Sequence, residues 1–527
     1  MSTASPGTDQ HETIAFLRDP ASYPAGPRTV EVIETHAALV FLAGDEAIKI
    51  KRAISVPYLD FSTLEKRAAA CRREMEINAP HAPEIYRALV SITRGAGGRL
   101  GFDGDGPVVE WGVRMARFSQ DDVLSNIAET RGIDETLARG LATMLSDAHA
   151  KAPVIGTEHE SVAGFTSILA NVEASLTSAA ERDPSLATTV SDFVERAGRA
   201  LARITPLLVD RQRGGLVRRC HGDLHLGNIV LWHGCPTLFD ALEFDETLAS
   251  IDLLYDLAFL LMDLDRRGQS RAANIVLNRY LSATARDLDL DGLAALPLFL
   301  ATRAAIRAMV AFDRGQLQDD ATRHATETHA RETLALAVRY LHPAAPCLVA
   351  VGGLSGTGKT TVAANLAPHI APAPGALHIR SDVERKRLAG LDALQPLAPE
   401  SYTPEASART YAWVAARARR ALTAGHSVIV DAVFARPDER RRMEAVAREA
   451  GVRFAGIWLD APADLLKARV AARRGDASDA TPAVVERQIA TGVGDVDWRR
   501  IDADGSPETV LARARQTLAP GADPGTG

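Results

Sequence analysis

Residues 353–360 read Gly-Leu-Ser-Gly-Thr-Gly-Lys-Thr, a combination that suits a bound phosphate group. Glycines let successive backbone N–H groups turn toward phosphate oxygens, a lysine adds positive charge, and a threonine hydroxyl can bind Mg²⁺. An apolar strand pattern at 348–351 precedes the loop, and a helical pattern at 360–366 follows it. The N-terminus of that helix would add the positive end of its dipole. The segment therefore predicts a nucleotide-binding loop of the Walker A type.

Two side chains of this loop have distinct predicted roles. Lys359 is expected to reach the β- and γ-phosphates of ATP, and the Thr360 hydroxyl is expected to bind Mg²⁺. The residues predicted to contact the nucleotide are Gly353, Leu354, Ser355, Gly356, Thr357, Gly358, Lys359, Thr360 and Thr361.

Carboxylates after the next two strand patterns make this nucleotide site a candidate kinase site. Asp382 follows the strand pattern 377–380, where a carboxylate can accept the proton of a substrate hydroxyl. The alternative is that Asp382 only caps the next helix. Asp431 ends the strand pattern 427–431, a position that suits a second group orienting Mg²⁺.

Two arginines follow on one predicted helical face, Arg469 and Arg473. Arginines on a mobile lid suit the stabilisation of charge during phosphoryl transfer. Arg469 is predicted to contact the nucleotide and Arg473 to act in catalysis, and a solvated basic face is the alternative. With these motifs, residues 347–518 resemble the small P-loop kinases of the gluconate-kinase, shikimate-kinase and polynucleotide-kinase type. The resemblance implies a compact kinase domain with a lid, and Asp382 as the substrate-side base.

A second set of chemical groups lies upstream, where residues 221–228 read His-Gly-Asp-Leu-His-Leu-Gly-Asn. The spacing of Asp223 and Asn228 is that of a kinase catalytic loop, in which the Asp orients and deprotonates a hydroxyl and the Asn binds Mg²⁺. Asp240 follows a short strand pattern and would supply a second metal carboxylate. His221 is expected to brace the loop rather than to bind zinc.

A kinase-type site also needs a lysine on the phosphates and an acid that holds this lysine. Lys49 and Lys51 lie on one face of a predicted strand, because side chains alternate along a strand. Glu74, on the following helix, is the matching acid. Lys49 is the preferred anchor, but strand alternation does not separate it from Lys51. Two exposed strand lysines are the alternative.

These upstream residues, His221, Asp223, Asn228 and Asp240, carry a resemblance of residues 28–342 to the aminoglycoside phosphotransferase family. The fold of that family is related to protein kinases, and the resemblance implies the roles given above. The segments 58–67 and 239–244 resemble a bacterial branch in which this domain is fused to a P-loop kinase-like domain.

The family name does not fix the substrate. Aminoglycosides are polycations and need an acidic pocket. Glu243, Asp245 and Glu246 could contribute to one, although acidic residues also occur at random on helical surfaces.

The elements that must position these groups divide at Pro343 and Pro346, because two close prolines cannot continue a helix. Before this linker, 343–346, the patterns predict a small strand-rich lobe at about 28–115 and a larger helical lobe at about 116–342. The small lobe contains a hairpin at 39–51 and a helix at 62–78, with Ser62 as N-cap and Glu65 at capping-box spacing.

After the linker, strands and helices alternate. Strands are predicted at 347–353, 377–380, 427–431 and 453–459, with helices including 405–424 and 437–450. Such alternation builds a parallel sheet with helices on both faces. The predicted fold is therefore a bilobal, protein-kinase-like α+β domain followed by a P-loop α/β domain at 347–518. The tail 519–527 is expected to be disordered.

Composition limits the partners. The net charge is -7 and aromatic residues make up 5% of the chain, so a nucleic-acid partner is disfavoured. The first 13 residues have no apolar core, and the greasiest stretch, 251–264, contains three Asp residues, so neither a secretory signal nor a membrane span is expected. The four cysteines form no CxxC pair. A cytoplasmic location fits best.

The leading hypothesis is an ATP- and Mg²⁺-dependent bifunctional kinase, in which each half phosphorylates a hydroxyl of a small polar metabolite. One alternative is that one half is a nucleotide-binding switch that regulates the other. A second alternative is a nucleic-acid 5′-hydroxyl kinase, suggested by the likeness to polynucleotide kinases.

Overall fold

The computed structural model describes residues 10–35, 37–56, 59–155, 161–316, 318–398, 402–472 and 477–518. Their backbone forms two compact units. One contains the described residues up to Ile168 together with Gly215–Asp263, and the other contains Leu169–Gly214 together with the described residues from Leu264 onward. The linker 343–346 lies inside the second unit and forms neither helix nor strand. The predicted domain limits stay a prediction, and Tyr58, Arg473 and the tail 519–527 lie outside the described residues.

The strands of the first unit are β1 (Val30–Glu34), β2 (Ala38–Ala43), β3 (Glu46–Lys51), β4 (Ser55–Val56), β5 (Leu59–Asp60), β6 (Tyr86–Arg94), β7 (Leu100–Phe102), β8 (Val108–Ala116), β9 (Val217–Arg219), β10 (Ile229–Trp232), β11 (Cys235–Leu238) and β12 (Ser250–Asp252). The main sheet is antiparallel, with the order β1-β2-β3-β8-β6-β7.

The helices before the linker are α1 (His11–Arg18), α2 (Leu64–Asn78), α3 (Leu124–Thr130), α4 (Glu135–Lys151), α5 (Ser161–Arg182), α6 (Ala187–Arg213), α7 (Glu246–Ala249), α8 (Leu253–Arg266), α9 (Ser270–Thr284), α10 (Asp287–Asp291), α11 (Leu296–Gly315) and α12 (Asp320–Tyr340). The helices after it are α13 (Lys359–Leu366), α14 (Ser381–Leu388), α15 (Pro404–Thr423), α16 (Pro437–Glu449), α17 (Ala463–Ala472), α18 (Pro482–Thr491) and α19 (Pro507–Gln516).

Strand alternation in β3 puts its apolar and its basic side chains on opposite faces. Ile48 and Ile50 join one apolar cluster, which includes Phe41 of β2. Lys49 and Lys51 share the other face, together with Ala47, which packs in a cluster that includes residues of α2. Both lysines are therefore buried beside α2. The alternative of two exposed strand lysines is wrong.

The first turn of α2 corrects the predicted cap. Thr63, not Ser62, is the N-cap, and its hydroxyl accepts a hydrogen bond from the Lys66 N–H at 3.3 Å. Ser62 instead donates to Asp60 in the turn before the helix. Ser62 and Thr63 both have a cap-type hydroxyl, and the sequence pattern alone did not distinguish them.

The sheet of the second unit contains β13 (Cys347–Gly352), β14 (Leu377–Arg380), β15 (Val428–Asp431), β16 (Arg453–Asp460) and β17 (Arg499–Asp502). Its order is β14-β15-β13-β16-β17, and every neighbouring pair is parallel. The register aligns Val351 and Arg380 with Asp431. The phosphate loop, the start of α14 and Asp431 therefore meet at the carboxyl edge of the sheet.

Four of these strands match the predicted ones, and β17 was not predicted. β17 is an edge strand that reads Arg-Arg-Ile-Asp, with only Ile501 buried. A strand pattern needs more than one apolar residue to stand out from a polar loop. The predicted fold class is confirmed: a kinase-like fold is followed by a P-loop domain with a parallel sheet.

No single described helix combines the length and apolarity of a membrane span, although the bent pair Asp287–Ala294 and Leu296–Gly315 passes that test jointly by length and composition.

Candidate functional site

The buried lysines of β3 share one acid on α2. Lys49 Nζ donates to Glu74 Oε1 at 2.8 Å, and Lys51 Nζ lies 2.7 Å from Glu74 Oε2. Glu74 is fully buried. Each carboxylate oxygen thus has one ammonium partner, which is the arrangement that a buried charge requires.

A second carboxylate distinguishes the two lysines. Lys49 also donates to Asp240, whose side chain is 41% exposed. Lys51 also donates to Glu243, whose side chain is only 8% exposed. Lys49 therefore contacts a predicted metal ligand at an accessible position, and Lys51 belongs to an enclosed ion pair. This contact pattern favours Lys49 as the phosphate anchor, although that role stays a prediction.

The charged groups of this network shift the pKa values of their neighbours. Burial acts to raise the pKa of Glu74, but the ammonium groups of Lys49 and Lys51 outweigh it and bring the pKa down from 4.5 to about 2. Burial acts in the opposite sense on Lys49, yet Asp240 and Glu74 raise its pKa well above the ordinary value. Glu74 and Glu243 likewise raise the pKa of Lys51 against the effect of burial, so Glu74 and both lysines are ionised at neutral pH.

Asp223 lies in the loop between β9 and β10. Asn228 Nδ2 donates to Asp223 Oδ2 at 2.9 Å and to the Asp223 carbonyl at 3.0 Å. The Asp223 side chain remains 40% exposed, whereas Asn228 is buried. Asn228 thus fixes the orientation of an accessible carboxylate.

Two contacts brace this loop. His221 Nε2 donates to the Phe239 carbonyl across 3.0 Å, which ties the loop to the residue before Asp240. The fully buried Asp256 of α8 accepts from the backbone N–H groups of His221 at 3.3 Å and Gly222 at 3.0 Å. The structure therefore shows His221 in the bracing position that was expected, and Asp256 is a further supporting residue.

The acids considered for a polycation pocket are all engaged otherwise. Glu243 pairs with Lys51, and Asp245 caps α7 by accepting from the Thr247 N–H at 2.8 Å. Glu246 pairs with Arg73 at 2.6 Å and with a second arginine. Each of these three acids thus has a partner within the chain, and a contribution to a substrate pocket stays a prediction.

In the second unit, the phosphate loop connects β13 to α13, as predicted. Gly353, Gly356 and Gly358 have φ values of 140°, 91° and 87°. A Cβ on Gly353 or Gly356 would lie 2.6 Å from a backbone carbonyl, so these positions require glycine. Lys359 Nζ donates to the Leu354 carbonyl at 2.9 Å, within the loop itself.

A residue outside the predicted set supports this loop. Gln488 of α18 accepts from the Ser355 N–H at 2.9 Å through Oε1 and donates to its hydroxyl at 3.2 Å. Thr361 is exposed, and its carbonyl accepts from Asn365 on the next turn of α13. Nucleotide contacts of the loop residues stay predictions.

Thr360 of the loop and Asp431 of β15, the two predicted metal ligands of this site, are in contact. Thr360 Oγ1 donates to Asp431 Oδ1 at 3.2 Å. His378 of β14 lies on the other carboxylate oxygen, with Nε2 2.6 Å from Oδ2. Burial raises the pKa of Asp431, but the hydrogen bond and charge of His378, with Arg380 and Lys359, bring it below the ordinary value. Asp431 is therefore an ionised carboxylate beside the loop.

The pKa of Asp382 shifts in the opposite direction. Burial, followed by the charge of Asp431, raises the pKa of Asp382, and Lys359 and a hydrogen bond with Ser478 act against that rise. A raised pKa makes a carboxylate a better proton acceptor. Arg380 is the N-cap residue of α14, so Asp382 lies in the first turn rather than at the cap. Its role as base stays a prediction.

The segment that precedes α18 contacts α14 and the region after it through Asp479. This carboxylate accepts from Lys386 Nζ at 3.2 Å, from the Tyr402 hydroxyl at 2.8 Å and from the Leu397 N–H at 3.2 Å. Arg469 of α17 donates to the Ala503 carbonyl at 2.9 Å, next to β17. Its nucleotide contact stays a prediction, and Arg473 lies outside the described residues.

Comparison with known proteins matches two separate segments of the chain to two families. The family model described as the phosphotransferase enzyme family matches residues 107–296, and that described as an AAA domain matches residues 348–492. Aminoglycoside 2′-phosphotransferase-IIIa in complex with GDP covers 63% of this chain and 99% of its own at 15% identity, with a TM-score of 0.38. A sugar kinase from Janibacter sp. HTCC2649 covers 35% of this chain and 100% of its own at 25% identity, with a TM-score of 0.24.

Mycobacterial proteins match this chain along most of its length. The uncharacterized protein Rv2004c of Mycobacterium tuberculosis is 31% identical over 510 residues, which is 92% of this chain and 94% of the relative. Protein Mb2027c of Mycobacterium bovis shows the same identity and coverage. The chain, in which a phosphotransferase-family kinase segment is followed by a P-loop kinase-like AAA domain, therefore belongs to the family of these mycobacterial proteins.

Proposed function

We propose that this kinase has two ATP sites, and that each transfers the γ-phosphoryl group to a hydroxyl of a small polar metabolite. The observation that carries the proposal is the arrangement of carboxylates in both units. In the first unit Asp223 would orient a hydroxyl and Asp240 would bind the metal, and the charges of both act on His221. In the second unit Asp382 would orient a hydroxyl and Asp431 would bind the metal, and the charge of Asp431 acts on Asp382. A nucleotide sensor needs no carboxylate that orients a hydroxyl.

The residues fit magnesium and ATP by the chemistry of their donor atoms. Mg²⁺ prefers oxygen ligands, and the candidate ligands are carboxylate, amide and hydroxyl oxygens of Asn228, Asp240, Thr360 and Asp431. The glycines at 353 and 356 keep the loop backbone in a conformation in which N–H groups can face phosphate oxygens. Bound Mg²⁺ would neutralise charge on the transferred phosphoryl group.

Each side chain has one role in the proposed reaction. Asp223, oriented by Asn228, would accept the proton as the substrate oxygen bonds to the γ-phosphorus. The bond between that phosphorus and the bridging oxygen breaks, and ADP leaves. Lys49 would hold the phosphates of the first site, and Lys359 those of the second. Asp382 would take the role of Asp223 in the second site.

The test is a screen of polar hydroxyl metabolites for ATP-dependent phosphorylation, with the full chain and single variants. Asp223→Asn should lower only one transfer activity, by about 10²–10⁴-fold, since it removes a proton acceptor. Lys359→Ala should lower only the other. Asp105→Asn, on an exposed loop, and Lys467→Ala, in surface ion pairs, are the matched controls.

The outcomes separate the alternatives. If both variants abolish one and the same activity, the two halves are not independent kinases. If one half binds ATP but no hydroxyl compound stimulates turnover in it, a regulatory role for that half replaces the proposal. A gel-shift assay across salt concentrations tests the nucleic-acid alternative, because phosphate contacts weaken steeply with salt. We also propose a cytoplasmic location, because the four cysteines are scattered along the sequence without a CxxC pair.

A further inference from the structure

Helix α9 covers the edge of the P-loop sheet. β14 is an edge strand, so its outer backbone groups have no neighbouring strand. The side chain of Asn278 on α9 takes the place of a neighbouring strand. Its Oδ1 accepts from the His378 N–H at 2.6 Å, and its Nδ2 donates to the Ala376 carbonyl at 3.1 Å. Asn274, one helical turn earlier, also donates to the Ala376 carbonyl at 3.1 Å.

The contact is closely packed. Asn274 is buried, and a Cβ on Gly375 would lie 2.7 Å from its Nδ2 and 2.5 Å from the Ala367 carbonyl. Gly375 also has a φ of 110°, which favours glycine. The chain therefore makes room for the asparagine of α9 at the start of β14.

Asn278 holds the backbone of His378, and His378 contacts Asp431, the predicted metal ligand. The backbone of His378 is bonded to Asn278, and its imidazole is bonded to Asp431 Oδ2. A carboxylate only accepts hydrogen bonds, so Nε2 carries the proton in this contact. The side chains of His378 and Asp431 are 10% and 6% exposed, so water competes little for the bond.

We infer that His378 is a positioning residue of the P-loop site and that helix α9 holds it in place. The inference rests on the proposed function of that site. Helix α9 lies within the segment 107–296 that matches the phosphotransferase family, so one half of the chain supplies a supporting residue to the site of the other.

The physical reason is the orientation of Asp431. With Oδ2 held by His378, Oδ1 is left facing Thr360, where the metal is predicted. Mg²⁺ requires near-ideal octahedral geometry, so a carboxylate that rotates freely is a poorer ligand. Loss of a group that orients a ligand typically weakens metal binding 10–100-fold.

The experiment measures nucleotide binding to the full chain while Mg²⁺ is varied. The signal of interest is the part that Lys359→Ala removes. In that part, His378→Leu should raise the Mg²⁺ concentration at half-maximal binding about 10–100-fold and leave binding in EDTA unchanged. His378→Gln keeps a donor at similar reach and should restore most of the wild-type Mg²⁺ requirement. Asn278→Leu should shift it in the same direction as His378→Leu.

A control separates positioning from general loosening of the same contact region. Arg420→Met breaks ion pairs with Asp287 and Asp291, which also join α10 to α15, but it does not reach Asp431. It should leave the Mg²⁺ requirement unchanged. An equal shift in Arg420→Met, or no shift in His378→Leu, would overturn the inference. If Lys359→Ala removes no nucleotide binding at all, the proposed function of this site fails instead.

Discussion

Lys49 and Lys51 are equivalent in the strand pattern and different in the folded chain. Both contact Glu74, but Lys49 reaches Asp240, 191 residues away, and Lys51 reaches Glu243. Alternation along β3 correctly predicted that both lysines share a face. It could not rank them, because the ranking depends on which distant carboxylate each ammonium group meets.

Substitution should separate the two lysines by kind of effect. Lys51→Met leaves Glu74 and Glu243 short of a cation in the interior, so we expect a loss of about 3–5 kcal/mol in the free energy of unfolding. Lys49→Met should instead act mainly on phosphoryl transfer, because Asp240 is partly exposed and can be solvated. Thermal unfolding and transfer assays on both variants measure this.

A double variant provides the control. Adding Glu243→Gln to Lys51→Met removes the carboxylate that has lost its ammonium partner, while Glu74 keeps Lys49, and should recover part of the lost stability. Equal losses of stability in Lys49→Met and Lys51→Met would contradict the assignment.

The supporting residues of both sites were the least predictable from sequence. Asp223, Asn228 and Asp240 belong to a fixed local spacing, and so do the residues of the phosphate loop. His378 and Gln488 follow no motif, since each acquires its role from a partner far along the chain. One signal was present: His378 stands two residues before Arg380 on the same face of a strand that ends at the site.

Helix α9 makes a contact with β14 that the sequence did not predict. The sequence predicted a helical lobe at about 116–342, and α9 lies within it. Its two asparagines are four residues apart, hence on one face, and amides on a largely buried helix need partners. That pattern indicated a polar contact, but the partner, the edge of β14, lies about a hundred residues further along the chain.

The corrected N-cap of α2 is testable. Thr63→Ala removes the acceptor for the Lys66 N–H and should lower the free energy of unfolding by about 1 kcal/mol. Ser62→Ala keeps that acceptor and should cost less. Urea denaturation of the two variants side by side decides between them, and the reverse order would restore Ser62 as the cap.

His426 makes the stability of the β15 region depend on pH. This histidine, buried before β15, donates from Nε2 to the Gly375 carbonyl at 3.0 Å. Burial lowers its pKa from 6.5 to about 4. Between those values the unfolded chain binds more protons than the folded one, so stability present above pH 6.5 is lost as the pH falls toward 4.

The loss amounts to about 3 kcal/mol at most. Hydrogen exchange of peptides that cover β15 measures it locally, which avoids assuming a single unfolding transition for a chain of two units. His426→Gln keeps a donor without the titration and should flatten the change between these pH values. A variant that loses protection as steeply as the wild type would rule out His426 as the cause.

At the scale of the whole molecule, the linker does not mark the limit of a compact unit. Residues on both sides of 343–346 belong to the second unit, in which α9 and α10 contact the P-loop domain. The residues of this segment are largely exposed. A chain cut at a protease site introduced there should therefore stay together on size-exclusion chromatography.

Asn274→Leu with Asn278→Leu should weaken that association, because the Ala376 carbonyl and the His378 N–H lose their partners. Separation of the two pieces in the cut wild-type chain would show that the contacts of α9 do not hold them.

The covering of β14 by α9 also has a consequence for synthesis of the chain. Asn278 precedes His378 by 100 residues, so the helix leaves the ribosome before the strand that it covers. The exposed edge of a nascent parallel sheet can pair with other chains. Here α9 is synthesised before the edge forms, so we expect the order of the two segments along the chain to limit such pairing.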